Sequence, residues 1–157
     1  MKVTRSGWAA LAIAVVAVVL DQVTKQLMLA VPERVSQPVF GPLQLTRISN
    51  GGVSFGLFQA GHDVVRWAFV VFSVGVALLL AGWARTQTRL LPAVGLGLVI
   101  GGALGNAIDR ARFGVVIDFI DVSSIHVFPW IFNVADSWIT VGVVLLLLDS
   151  LRRERPA

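Results

Sequence analysis

The sequence predicts an all-α membrane protein with a small β element on its extracytoplasmic face, built on four transmembrane helices with both termini cytoplasmic. Three observations predict this class. Of 157 residues, 56% are hydrophobic and only 14% charged, where a soluble domain carries roughly 25% charged residues. Four apolar runs approach the roughly 20 residues that a helix needs to cross the hydrocarbon core. The basic residues gather at the ends of those runs, where membrane topology places them.

The first run extends from about Trp8 to Leu29 and carries Asp21 and Lys25 towards its far end. Lys2 and Arg5 followed by an apolar stretch to Leu20 also resemble the opening of a signal peptide. The polar step Asp21-Gln22-Val23-Thr24-Lys25 followed by more apolar sequence, with no small-residue cleavage site, favours a retained helix. A connection of about 30–63 follows. Within it, Val39-Phe40, a Gly41-Pro42 turn and the alternating Leu43 to Ile48 read as short strands. Asn50-Gly51-Gly52 then turns the chain tightly, and Val53 to Phe58 forms a greasy patch.

The second span, about Val64 to Ala84, holds Arg66 near its start. The third, about Leu90 to Ile108, contains Gly95, Gly97, Gly101, Gly102 and Gly105, small residues that let helices approach closely in lipid. A second connection, about 109–132, includes the β-branched stretch Phe113 to Phe119, expected to pair with the earlier strands. The fourth span, about Asn133 to Leu148, is short and is expected to borrow length from the turn before it. If the spans alternate, Lys2, Arg5, Arg85, Arg89, Arg152, Arg153 and Arg155 share one side. The positive-inside rule makes that side the cytoplasm and puts both long connections outside. The whole chain, 1–157, is expected to be one integral membrane domain.

Composition also excludes chemistry. Without cysteine there is no disulfide, no thiolate nucleophile and no zinc–thiolate site. With only His62 and His126, a metal site is not expected. The net charge of +4 forms no patch that would suit nucleic acid. Ser123, Ser124 and Ser137 have no base at a suggestive spacing.

What remains is carboxylates at the membrane edge, where an ionisable group marks a functional site. Asp118 lies between Ile117 and Phe119, and Asp136 stands at the mouth of the last span. Two carboxyls that meet can share one proton, as in an aspartic protease. Asp109 competes with Asp118 for this role. Arg110 beside it is expected to hold Asp109 ionised in an ion pair, whereas desolvation is expected to raise the pKa of Asp118. Asp136 can equally be a helix N-terminal cap. Asp21 and Lys25, at i and i+4, share a helix face and can pair, either neutralising each other or bracing a site.

Five stretches together resemble the lipoprotein signal peptidases, the type II signal peptidases of bacteria. They are Asp21 to Lys25, Asn50 to Gly56, Gly101 to Arg110, Val116 to Ile120 and Phe132 to Ser137, in the family's order across nearly the whole chain. One departure is that two residues, Trp130 and Ile131, separate Pro129 from Phe132. The resemblance implies a catalytic pair at Asp118 and Asp136. It also implies a substrate pocket drawing on Asn50, Gly52, Asn106, Arg110 and Asn133, with Asp21, Lys25 and Asp109 in support. It further implies four helices under an extracytoplasmic β cradle in the bacterial inner membrane. Cleavage of diacylglyceryl-modified prolipoproteins just before the lipidated cysteine, contact with membrane lipid, inhibition by globomycin, no cofactor or metal, and a monomer complete the expectation. Two rival readings are a small proton-coupled transporter and a non-catalytic membrane scaffold.

Overall fold

The computed structural model describes residues 2–52, 63–125 and 130–153. The Val53 to Phe58 patch, His62, His126, Pro129 and Arg155 lie outside the described residues. Four helices are long and apolar enough to cross a membrane. They are α1 (Arg5–Met28), α2 (Asp63–Ala84), α3 (Leu90–Phe113) and α4 (Val134–Arg153). Strands β1 (Ser36–Phe40), β2 (Leu43–Asn50), β3 (Val116–Asp121) and β4 (Ile131–Phe132) form one antiparallel sheet in the order β1-β2-β3-β4.

Helix α3 is the hub and packs against all three other helices. Its small residues make this possible. A side-chain carbon on Gly97 would come within 2.6 Å of the Ala10 carbonyl, and one on Gly101 within 2.5 Å of the Ala17 methyl. On the neighbouring face, Gly95 meets the backbone of Gly142 and Gly102 that of Ala135. Close backbone approach of this kind supplies the van der Waals contact that holds helices together in lipid. By contrast, most of α2 turns its apolar side chains outward, Val71, Phe72, Leu78 and Leu79 among them.

The helices run alternately up and down. At one end, the Thr4 N–H donates to the Arg85 carbonyl at 3.1 Å and Arg89 of α3 pairs with Asp149 of α4. At the other end, the last turns of α1 and α3 and the first turn of α4 meet the sheet. Each span differs in detail from its sequence expectation. Helix α1 begins three residues early because Thr4 caps it, accepting the Gly7 N–H at 2.9 Å. Helix α3 continues beyond Ile108 to Phe113 and stops at Gly114, whose φ of 77° is the left-handed conformation that ends helices. Helix α4 gains its extra length after Leu148, not before Asn133, because Arg89 neutralises Asp149.

The strands read from Val39 to Ile48 are present, extended outward to Ser36 and Asn50. Phe113 closes α3 instead of opening a strand, and β3 starts at Val116. Strand β2 pairs with β3 so that Ile48 faces Asp118 and Asn50 faces Val116. This register puts Asn50 and Asp118 on one face of the sheet, two residues apart along the ladder.

Candidate active site

Asp118 is the centre of the buried polar cluster and is only 2% exposed. Strand β3 alternates its side chains, so Asp118 faces the helix ends. Both of its oxygens accept an amide: Asn133 Nδ2 donates to Oδ1 at 2.6 Å and Asn50 Nδ2 to Oδ2 at 2.9 Å. Asn50 is oriented in turn by Gly52, whose N–H donates to Asn50 Oδ1 at 3.1 Å. That small turn accounts for the Asn50-Gly51-Gly52 pattern. Burial drives the Asp118 carboxyl up from 3.8 to about 6; the charge of Asp136 adds to the rise, while Asn50, Asn133 and Lys25 oppose it.

Asp136 sits in the first turn of α4 and is half-buried. Asn106 Nδ2 donates to its Oδ1 at 2.8 Å and the Asn133 N–H to its Oδ2 at 3.2 Å. Asn133 Oδ1 accepts the Asp136 N–H at 3.0 Å. The two residues therefore make a reciprocal capping box, with Asn133 as N-cap and Asp136 three residues on. The cap reading of Asp136 is thus corrected in one respect: Asn133 is the cap and Asp136 its reciprocal partner. Asn106 and Asn133 are themselves joined, Nδ2 of Asn133 to Oδ1 of Asn106 at 3.2 Å. The two aspartates are linked through asparagine amides, and all four carboxylate oxygens have a donor.

Behind them lies a fully buried ion cluster. Lys25 Nζ is 2.9 Å from Asp21 Oδ2 and 2.9 Å from Asp109 Oδ2, and it donates to Asn106 Oδ1 at 2.9 Å. The expected ion pair between Asp109 and Arg110 is not the one formed: Asp109 pairs with Lys25. Neighbouring residues on a helix point in different directions, so Asp109 turns towards α1 while Arg110 lies 5.2 Å from the centre of the Phe69 ring on α2. Gln22 was not singled out in the sequence. Its Nε2 donates to Asp21, Asp109 and the Gly105 carbonyl, and its only signal was its place inside the Asp21 to Lys25 step. Arg66 was also passed over as a site element. It donates to the carbonyls of Arg110 and Ala111 at 2.7 Å each, closing the end of α3.

A pocket of about 360 Å³ opens beside Asp136 and runs along α4 past Thr140 to Val141, with Trp130 and Phe132 at its mouth. Asp118 is therefore the enclosed carboxyl and Asp136 the accessible one. Among the described residues no group of three or more acidic, histidine or cysteine side chains is placed to hold a metal ion.

Residues 13–152 match the signal peptidase (SPase) II family. The chain belongs to that family. It is 52% identical to the lipoprotein signal peptidase of Caulobacter vibrioides over 98% of this chain and 93% of the relative. It is 42% identical to that of Methylobacterium radiotolerans over 94% of this chain and 86% of the relative. A bacterial membrane enzyme solved by the in meso method at 2.3 Å superposes with a TM-score of 0.84 and 29% identity, covering 100% of this chain and 99% of its own. The fold brings a residue of each of the five sequence stretches, Lys25, Asn50, Asn106, Asp118 and Asn133 among them, into one hydrogen-bonded cluster at one end of the bundle.

Proposed function

We propose that this signal peptidase II family member is a membrane aspartyl endopeptidase. In this reading it removes the signal peptide from diacylglyceryl-modified prolipoproteins, cutting just before the lipidated cysteine. The observation that carries the reading is the convergence of Asp118 and Asp136 on Asn133, with one carboxyl enclosed and raised to about 6 and the other open to a pocket. Adjacent carboxyls whose environments differ are the arrangement in which one keeps a proton and the other is ionised.

The chemistry follows from that asymmetry. Asp118 holds the shared proton and polarises the scissile carbonyl. Asp136 takes a proton from water, which attacks the carbonyl carbon. Asp136 then gives that proton to the leaving amine nitrogen as the C–N bond breaks, Asp118 keeps its own, and the pair returns to its starting state. Asn50, Asn106 and Asn133 hold the carboxylates, and in this reading Arg110, whose guanidinium lies over Phe69, donates to substrate carbonyls. Apolar lipid and signal-peptide segments suit a pocket on α4 lined by Trp130, Phe132 and Val141. This is why such a hydrolase resides among membrane helices.

The reading also places the whole chain as one multi-pass unit in the bacterial inner membrane, monomeric, with the sheet and both aspartates outside. Supporting it, Lys2, Arg5, Arg85, Arg89 and Arg152 lie at the helix ends opposite the site, as the positive-inside rule requires of a cytoplasmic face. At the site end, Lys25 and Arg66 are engaged by carboxylates and helix carbonyls, Arg110 and Arg112 stand in the last turn of α3, and Arg34 and Arg47 lie in or beside the sheet. A transporter would string its carboxylates along a path across the bilayer; here Asp21, Asp109, Asp118 and Asp136 gather at one end.

The test is cleavage of a synthetic diacylglyceryl-modified prolipoprotein peptide by protein purified in detergent. Asp118→Asn and Asp136→Asn are each expected to lower the rate by at least about 10²-fold, the usual scale for losing a general acid or base. Globomycin is expected to block the wild-type protein. Turnover near wild type in either variant sinks the aspartyl reading.

A further inference from the structure

Lys25 uses all three of its N–H donors inside the protein. They reach Asp21 Oδ2, Asp109 Oδ2 and Asn106 Oδ1, each at 2.9 Å. The side chain is 3% exposed and both carboxylates are wholly buried. Each carboxylate also grips one backbone N–H. Asp21 Oδ1 accepts the N–H of Ala135 at 2.8 Å, and Ala135 immediately precedes Asp136. Asp109 Oδ2 accepts the N–H of Ile117 at 3.1 Å, and Ile117 immediately precedes Asp118. The two halves of the pair are therefore held by matching clamps, and a single ammonium joins the clamps.

We propose that Lys25 is a positioning residue that sets the separation and facing of Asp118 and Asp136, resting on the aspartyl reading given above. It acts by three routes. Through Asp21 it holds the start of α4, and through Asp109 it holds the start of β3. Its third N–H acts on Asn106. With Asn106 Oδ1 taken by Lys25 and by Asn133, the Nδ2 group is left facing Asp136 Oδ1. An amide turned the other way would put an oxygen against that carboxylate. Without the ammonium, Asp21 and Asp109 would face each other as two buried like charges, which separate or take up a proton. Either response loosens the backbone on both sides of the pair.

A displacement of about 1 Å at a reacting group can cost about 10²-fold in rate while leaving binding little changed. Lys25→Met, assayed with the diacylglyceryl-modified peptide, is therefore expected to lower kcat by about 10²-fold with KM within about two-fold of wild type. Hydrogen exchange supplies a second readout. The amides of Ala135 and Ile117 are expected to lose protection in this variant, ahead of those in the middle of α3. Lys25→Gln keeps an N–H for Asn106 but no charge, so its kcat should fall between the two.

Several results overturn the proposal. One is a folded variant with kcat near wild type; another is a raised KM at unchanged kcat; a third is unaltered exchange at both amides. A uniform loss of protection across all four helices would make Lys25 a stabilising residue only, and overturns it too. If neither variant folds, the wild-type protein decides, because Ala135 and Ile117 must then be the most protected amides of their segments. Ordinary protection there overturns the proposal. Failure of the underlying reading is seen separately, as cleavage by Asp118→Asn or Asp136→Asn.

Discussion

Asn133 and Asp136 cap helix α4 reciprocally, each accepting the other's backbone N–H, at 3.0 and 3.2 Å. One oxygen of Asp136 is thus tied to the helix start and the other to Asn106. The carboxylate cannot rotate without breaking the cap. The Asn133 side-chain amide donates to Asp118 at 2.6 Å and to Asn106 at 3.2 Å, so one residue holds both aspartates.

Asn133→Asp separates these two duties. Aspartate is as good an N-cap as asparagine, so the start of α4 should survive. The new carboxylate cannot donate to Asp118, and it adds a like charge to the site. Cleavage is expected to fall by at least about 10²-fold, and any loss in melting temperature comes from the buried like charge, not from the cap. Asn133→Ala also removes the cap and should cost about 0.5–2 kcal/mol of stability. Thermal melts and peptide cleavage in one detergent check both. An active Asn133→Asp enzyme would mean that the amide link between the aspartates is not needed.

The pH dependence of stability has a defined sign. The folded Asp118 carboxyl titrates near 6 and the unfolded one near 3.8, with burial as the main cause. Between those values the folded protein keeps a proton that the unfolded chain releases. The contribution is therefore complete below about pH 4 and is lost as pH rises through about 6, worth about 3 kcal/mol in all. Asp118→Asn removes this titration. Its melting temperature should gain on that of wild type as the pH rises from about 4 to about 6. Parallel curves for the two proteins would show that Asp118 is not held protonated. Activity should mirror the same event, with kcat/KM falling as Asp118 loses its proton near pH 6.

Orientation is tested with single cysteines, which the natural chain lacks. A membrane-impermeant thiol reagent added outside intact cells should label Gln37→Cys and Ser124→Cys. Both lie on the sheet or beside it. Arg85→Cys and Arg152→Cys, at the opposite helix ends, should react only after the membrane is opened. The reverse pattern would put the site on the cytoplasmic side, away from the proposed substrates.

How much of this was legible in the sequence differs by element. The four spans are, because hydropathy over about 20 residues is a strong signal. The β1–β2 hairpin is, because Gly41-Pro42 punctuates two extended runs. The two-residue β4 is not, since it exists only by pairing Ile131 and Phe132 with Asp121 and Ile120. The choice of Asp118 over Asp109 rests on local desolvation. The partner of Asp109 was misread because sequence adjacency suggested Arg110. The true partner, Lys25, is brought close only by helix packing. The clamps on Ala135 and Ile117 are side-chain contacts to backbone, and no residue pattern announces those.

The last prediction concerns Gly105, where packing and chemistry meet in one position. A side-chain carbon there would lie 2.5 Å from Asp21 Oδ2 and 3.4 Å from the Ala135 methyl. Asp21 cannot swing aside, because the same oxygen accepts from Lys25 and Gln22 and its other oxygen holds the Ala135 N–H. Gly105→Ala should therefore cost about 1–3 kcal/mol, the usual scale of overpacking a tight interior. Cleavage should drop as well, because the displaced Asp21 moves the start of α4 and Asp136 with it. Gly75→Ala is the control. Nothing lies within 4 Å of a side-chain carbon at Gly75 in α2. Alanine there should gain up to about 1 kcal/mol from helix propensity and leave cleavage unchanged. Both variants make the same chemical change in a helix, so any difference between them comes from what stands beside the glycine. A Gly105→Ala protein as stable and active as Gly75→Ala would show that Asp21 has room to move, and that its contact with the start of α4 does not hold the site in place.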